Sequence, residues 1–257
     1  MKEVIHGNDH WYRKDLGEGV SIASLGLKKA DTTIRRRLII NVVGKEKQGK
    51  TNFGLTAPGP IILFDLDYGL EGVVSKFAGT KAIYPSEYRI NEISPAHFLS
   101  TWERFKKEFG GALKEKEVRS VIVDTGTEMW ELIRLARFGK LTQVMPQHYG
   151  PVNSELRGLI RDAYSSDKNL IILHKMTEIY KNNQPTGEFG MAGFKDIPYN
   201  VQVNLLCWRD TDGTFHATIN DCRQNSDLAG MDLIGDMVNF PTLASLVFPG
   251  TEEGDWI

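Results

Sequence analysis

Cysteine is scarce in this 257-residue chain. Cys207 and Cys222 are the only two, and neither belongs to a CxxC or Cys/His cluster. That argues against a disulfide scaffold or a thiolate zinc site and leaves a reduced, buried pair as the expectation. Basic charge is not in excess either. With 31 Lys and Arg against 33 Asp and Glu the formal net charge is −2, which gives no support to a uniformly basic nucleic-acid binder, although a local basic stripe is compatible with it. No run approaches the ~18 apolar residues of a membrane span, and the opening MKEVIHGNDHWYRKD has no apolar signal core. The expected location is the cytoplasm, with no membrane partner. Internal repeats and low-complexity linkers are absent, and so is an NKxD segment to read guanine.

What is present is an alternation of apolar runs and helical patterns. LIINVV from Leu38, PIILFD at 60–65, RSVIVD at 119–124 and NLIIL at 169–173 are strand-length runs without period-two alternation. Such runs suit strands covered on both faces. Between them, Phe98, Trp102, Phe105 and Phe109 recur at spacings of four and three, as do Met129, Leu132, Ile133 and Leu135, then Leu156, Leu159, Ile160 and Tyr164. Strands alternating with helices predict an α/β fold with a mainly parallel central sheet. From Asn200 the texture changes: NVQVNLLCWRD, TDG and TFHATIND read as a C-terminal β-hairpin turning at Asp212-Gly213. The predicted organisation is an N-terminal extension over 1–35, a core over 36–225, and a helical segment with an acidic tail over 226–257.

The segment Gly44-Lys45-Glu46-Lys47-Gln48-Gly49-Lys50-Thr51 satisfies GxxxxGK[ST], the P-loop or Walker A pattern. Gly44 and Gly49 permit a backbone path on which successive N–H groups converge on phosphate oxygens. Lys50 supplies positive charge to the β- and γ-phosphates, Thr51 a hydroxyl for Mg²⁺, and the helix beginning there the positive end of its dipole. With Asn52, residues 44–52 form the expected ATP site. The motif follows a strand-like run and precedes a helical pattern, the context it requires. Asp124 ends the run Val121-Ile122-Val123, where a Walker B aspartate holds Mg²⁺ together with Thr51. Thr125 follows it, where many AAA+ ATPases carry a glutamate. The run Leu63 to Gly69 is read as closing the next strand, where Asp65 and Asp67 share a face and Asp67, at its carboxyl end, is placed to face the γ-phosphate.

The order of P-loop, strand ending FDLDYGLE, strand ending VIVDT, strand LIILH and a long polar segment resembles RecA/RadA-type recombinases over roughly residues 38–225. The compact form is similar to small core-only RecA-like proteins of bacteriophages that assist recombination and single-strand annealing. The resemblance implies a RecA-like P-loop NTPase core acting as an ATPase in the host cytoplasm. It implies Asp67 as catalytic base, with Glu128 as the alternative, although the family commonly has Glu at that position. It also implies His174 as a γ-phosphate sensor and Arg223 as a finger reaching a neighbouring protomer's nucleotide. Single-stranded DNA would bind two loops. One spans 139–152 with Lys140, His148 and Tyr149. The other spans 175–197 with Lys175, Lys181, Phe189, Phe194 and Lys195, lysines for phosphates and aromatics for bases. The implied assembly is a homo-oligomer, ring or filament, with Val20, Ile22 and Leu25 as a candidate oligomerisation segment and a single-strand DNA-binding protein as a possible partner. Two alternatives stay open: a P-loop phosphotransferase acting on nucleosides or nucleotides, and a non-catalytic nucleotide-dependent assembly switch.

Overall fold

The computed structural model describes residues 24–30, 35–90, 94–140 and 144–257. The chain divides into two units, 1–35 and 36–257. Val20 and Ile22 lie outside the described residues, as do 141–143 of the first expected DNA loop. In the first unit, Leu25 sits exposed in a turn over 24–26.

The second unit runs β1 (Ile39–Val43), α1 (Lys50–Leu55), β2 (Ile61–Asp65), β3 (Ile83–Glu87), α2 (Phe98–Ala112), β4 (Ser120–Asp124), α3 (Gly126–Phe138), α4 (Gly150–Ser165) and β5 (Asn169–His174). It continues with β6 (Met176–Lys181), β7 (Gln184–Met191), α5 (Ile197–Asn200), β8 (Val203–Arg209), β9 (Phe215–Cys222), β10 (Asp232–Ile234) and α6 (Phe240–Val247). The main sheet has eight strands in the order β10-β9-β8-β1-β5-β4-β2-β3. Strands β8, β1, β5, β4, β2 and β3 are parallel. The C-terminal hairpin adds β9 antiparallel to β8, and β10 pairs antiparallel with β9.

Apolar side chains on both faces explain why the central runs lack alternation. Leu38, Ile40 and Val42 pack with Phe53 and Leu55 of α1 and with Leu243 and Val247 of α6. Ile39 faces the other way, into a core built from α2, α3 and α4. On that side Phe105 meets Phe64, Tyr88, Trp102 and Phe109 at ring-centroid distances of 4.9 to 5.9 Å, the range in which aromatic rings attract beyond simple burial.

Four features depart from the sequence-based expectation. Strand β2 ends at Asp65, and Asp67 lies in the following bend, so the two carboxylates do not share a strand face. Most of the expected long loop over 175–197 is a two-stranded hairpin, β6–β7. Its turn is made by Asn182 and Asn183 at φ 53° and 60°, the positive-φ pair that two-residue hairpins require. Edge strand β3 contains Pro85, tolerated where one side of the ladder is open. Finally, residues 226–257 are not a helical appendage: β10 extends the sheet and α6 packs into its core. Among the described residues no helix is long and apolar enough to cross a membrane.

Replacing fully buried Phe105 with alanine removes the hub of the aromatic cluster, and Phe105→Ala is expected to cost about 3–5 kcal/mol. Urea unfolding measures it; a loss below about 1 kcal/mol would show that the cluster does not support α2.

Candidate functional site

The parallel strands all deliver their carboxyl ends to one edge, and the chemistry collects there. After β1 the chain turns through Gly44 to Gly49 and enters α1 at Lys50. Two glycines are dictated by contact. A Cβ at Gly44 would lie 2.6 Å from the carbonyl oxygen of Cys207 on β8, and one at Gly49, whose φ is +86°, would lie 3.0 Å from the ring of Phe215. Lys50 Nζ donates to the carbonyls of Gly44 at 2.8 Å and Lys45 at 2.7 Å. Burial lowers its pKa, and the nearby Asp124 works against that shift.

Thr51 Oγ1 donates to Asp124 Oδ2 at 2.7 Å. Asp124, the last residue of β4, is buried and sits beside Asp65 in the sheet register. Burial pushes its carboxyl up to about 6; Asp65 and Asp67 push the same way, while the Thr51 hydrogen bond opposes them. Asp65 is also raised, chiefly by burial, although it accepts the backbone N–H groups of Asp67 and Gly69. Thr125 caps α3 by accepting the N–H of Glu128 at 3.2 Å, which places that glutamate in the helix's first turn. Asp67 and Glu128 are joined by one cation: Lys175 Nζ lies 2.8 Å from Asp67 Oδ1 and 2.8 Å from Glu128 Oε1. Burial works against that ammonium, but the two hydrogen bonds outweigh it and the pKa is raised.

These groups line a cleft of about 880 Å³, with Gly44, residues 46–52, Asp67, Asp124 and Lys175 among its walls. The cleft juxtaposes a glycine-bearing loop leading into a helix, the lysine of that loop, a hydroxyl on a buried aspartate, and the further carboxylates of Glu46, Asp67 and Glu71. The AAA domain family model matches residues 36–201, most of the chain. The chain belongs to the AAA domain family. A comparison with curated proteins finds no match. As an AAA domain it is a nucleotide-binding domain of the P-loop ATPase type, and the matched region holds every residue from Gly44 to Lys175 described above.

The AAA domain distributes the other expected site residues unevenly. His174 is fully buried, with Nδ1 2.8 Å from Asn41 Oδ1. Asn41 in turn donates to Asn204, and Asn204 to Asp221. The histidine therefore anchors a polar row running across the sheet, and it is not among the residues that line the cleft. Arg223 follows β9 at the opposite end of the sheet and donates to Tyr199 O at 2.7 Å and Tyr164 Oη at 3.3 Å. Lys175 is a cleft residue rather than a loop cation. Phe194 is buried in the core with Arg157 over its ring, which removes it as a base-stacking surface. Tyr149 stacks on Trp130 at 5.4 Å. Lys140, His148, Lys181 and Lys195 are exposed, and Phe189 on β7 is partly so. Lys45 Nζ lies 3.4 Å from the centre of the Phe189 ring, which ties the hairpin to the phosphate loop.

Phe215 lines the cleft without having been expected there, as do Gly69, Glu71, Val73, Lys76 and Met176, and Asp65 acts on it from outside the lining by raising Asp124. The signal for Asp65 was its place at the end of a strand run. Phe215 could be found only from the strand order that seats β8 beside β1.

Burial lowers the pKa of His174 from 6.5 to about 3. Asn41 uses its amide nitrogen toward Asn204, so its oxygen accepts from His174 Nδ1–H, and Nε2 has no hydrogen-bond partner among the described residues. The unfolded chain takes up a proton near pH 6.5 that the folded chain refuses. Stability from this group is therefore full above about pH 6.5 and declines as pH falls toward 3, with a limiting slope of about 1.4 kcal/mol per pH unit. Comparing urea midpoints of wild type and His174→Gln from pH 7.5 to 5 should show a flatter curve for the variant; parallel curves would refute a neutral buried histidine.

Proposed function

We propose that the chain hydrolyses ATP with Mg²⁺ at this cleft and couples hydrolysis to single-stranded DNA, as a homo-oligomer of the RecA-like kind. The observation that carries the hydrolytic part is the Thr51–Asp124 contact beside the P-loop lysine. A hydroxyl and a carboxylate whose charge is disfavoured by burial and by neighbouring carboxylates form a hard-oxygen donor set that a divalent cation relieves. Six carboxylates, Glu46, Asp65, Asp67, Glu71, Asp124 and Glu128, meet four ammonium groups, Lys47, Lys50, Lys76 and Lys175, in and around the cleft. The excess negative charge suits Mg²⁺ and would repel a triphosphate arriving without it.

In this reading the backbone N–H groups over 44–51 and the Lys50 ammonium bind the phosphates, and Thr51 and Asp124 hold Mg²⁺. When bound, Mg²⁺ neutralises charge on the phosphate oxygens. Asp67 orients the attacking water and accepts its proton, with Glu128 next to it as the second carboxylate able to do so. The half-exposed ring of Phe215 over Gly49 offers a flat apolar face to a nucleobase.

The DNA part is supported by the β6–β7 hairpin. It projects Ile179, Tyr180 and Lys181 to solvent, a combination suited to base stacking and phosphate contact, and it touches the phosphate loop through Phe189 and Lys45. The likeness to small phage recombination and annealing proteins supports the same substrate.

ATP turnover by the purified protein at low salt, with and without single-stranded DNA, tests the reading. Turnover should require Mg²⁺, rise with DNA, lose that rise as salt increases, and fall on the order of 10²-fold in Asp67→Asn. Turnover indifferent to DNA would sink the coupling, and an unaffected Asp67→Asn would remove Asp67 as base.

A further inference from the structure

The cleft holds a cation that the phosphate loop does not account for. Lys175 sits between the end of β5 and the start of β6 with its backbone fixed on both sides. Its N–H donates to Thr127 Oγ1 at 3.1 Å, and its carbonyl accepts from Ala192 N at 2.9 Å. From that fixed root the ammonium reaches Asp67 and Glu128, the two carboxylates read above as candidate proton acceptors. The described residues lining the cleft include lysines 47, 50, 76 and 175 and no arginine. The chain's Arg223 is remote. Cys222 pairs with Val203 at the amino end of β8, and Val203 pairs with Ile40 of β1, so the strand ahead of Arg223 ends on the sheet edge away from Gly44.

We propose that Lys175 is a catalytic residue that supplies, within the same chain, the positive charge the transferring phosphoryl group needs. The inference rests on the ATP-hydrolase reading and goes beyond it. With a triphosphate bound, the Lys175 ammonium exchanges one carboxylate contact for a γ-phosphoryl oxygen. The water oxygen forms a bond to Pγ while the bond from Pγ to the β–γ bridging oxygen breaks. The electron pair leaves with ADP, and the water's proton passes to Asp67 or Glu128. Lys175 offsets the charge on the non-bridging oxygens and, because it touches both carboxylates, keeps the proton acceptor beside the reacting centre. A charge fixed in advance at that point costs no reorganisation during the step.

The experiment combines binding and turnover on the full chain. Equilibrium dialysis with a non-hydrolysable ATP analogue and Mg²⁺ gives Kd, and ATP turnover gives kcat, for wild type, Lys175→Met, Lys175→Arg and Arg223→Ala. Lys175→Met should lose on the order of 10²-fold in kcat while its Kd changes by less than about tenfold. Lys175→Arg should recover part of the rate, which separates charge from structural support. Arg223→Ala, remote from the cleft, should turn over like wild type. If wild type binds the analogue yet Lys175→Met keeps its kcat, the inference is overturned and the ATP-site reading survives. If wild type does not bind the analogue, the ATP-site reading itself fails and the inference falls with it.

Discussion

Carboxylates crowd the carboxyl edge of two neighbouring strands, and the arrangement of the cleft follows from that crowding. The parallel register places Asp65 directly beside Asp124. Both are buried and both are pushed toward the protonated form. Two such groups side by side are unfavourable unless cations, donors or a proton offset them. The surrounding residues read as answers to that constraint. Thr51 donates to one carboxylate, backbone N–H groups after β2 to the other, and Lys50 stands close enough to Asp124 to favour its charge. In the proposed mechanism a divalent cation would offset the same crowding.

The antiparallel extension of the sheet has a separate part in the site. Strand β8 lies next to β1, so its Cys207 carbonyl presses on Gly44, and β9 carries Phe215 over Gly49. The P-loop glycines are thus fixed by packing against the hairpin as well as by the conformations they adopt. The motif and the C-terminal hairpin form one structural unit even though about 160 residues separate them in the chain, a separation that makes such contacts slow to form in folding.

The parts of this protein that were legible in its sequence are those whose signals are local. The P-loop spans eight consecutive residues, Asp124 ends a run that only a covered strand explains, and the aromatic spacing of α2 is read in one pass. Features that depend on partners were not legible. Strand β6 alternates only weakly and β7 is exposed along most of its length, because the hairpin projects from the body and has no core face. Strand β3 is interrupted by Pro85 and half exposed, so it lacks the apolar run that marks its neighbours. Phe194 and Lys175 fall in one stretch of lysines, glycines and aromatics. Composition assigns them a common role, and the fold separates them into a core residue and a cleft residue. His174 had the right strand end, but the alternation of side chains turned it into the sheet's polar row, leaving the next residue to face the cleft.

The contrast between the two carboxylate groups sets how the site divides its tasks. Asp124 is buried, hydrogen-bonded and held in the sheet, the fixed position that its proposed part as a metal ligand calls for. Asp67 lies in a bend beyond its strand, with 42% of its side chain exposed, and Glu128 lies in a helix's first turn with 23% exposed. Groups placed that way can change partners at modest cost, because water compensates what a lysine gives up. A phosphoryl transfer needs both kinds of group: a fixed frame for the charge that stays and an adjustable one for the proton that moves. In the proposed hydrolysis the strand ends would supply the first and the segments that follow them the second.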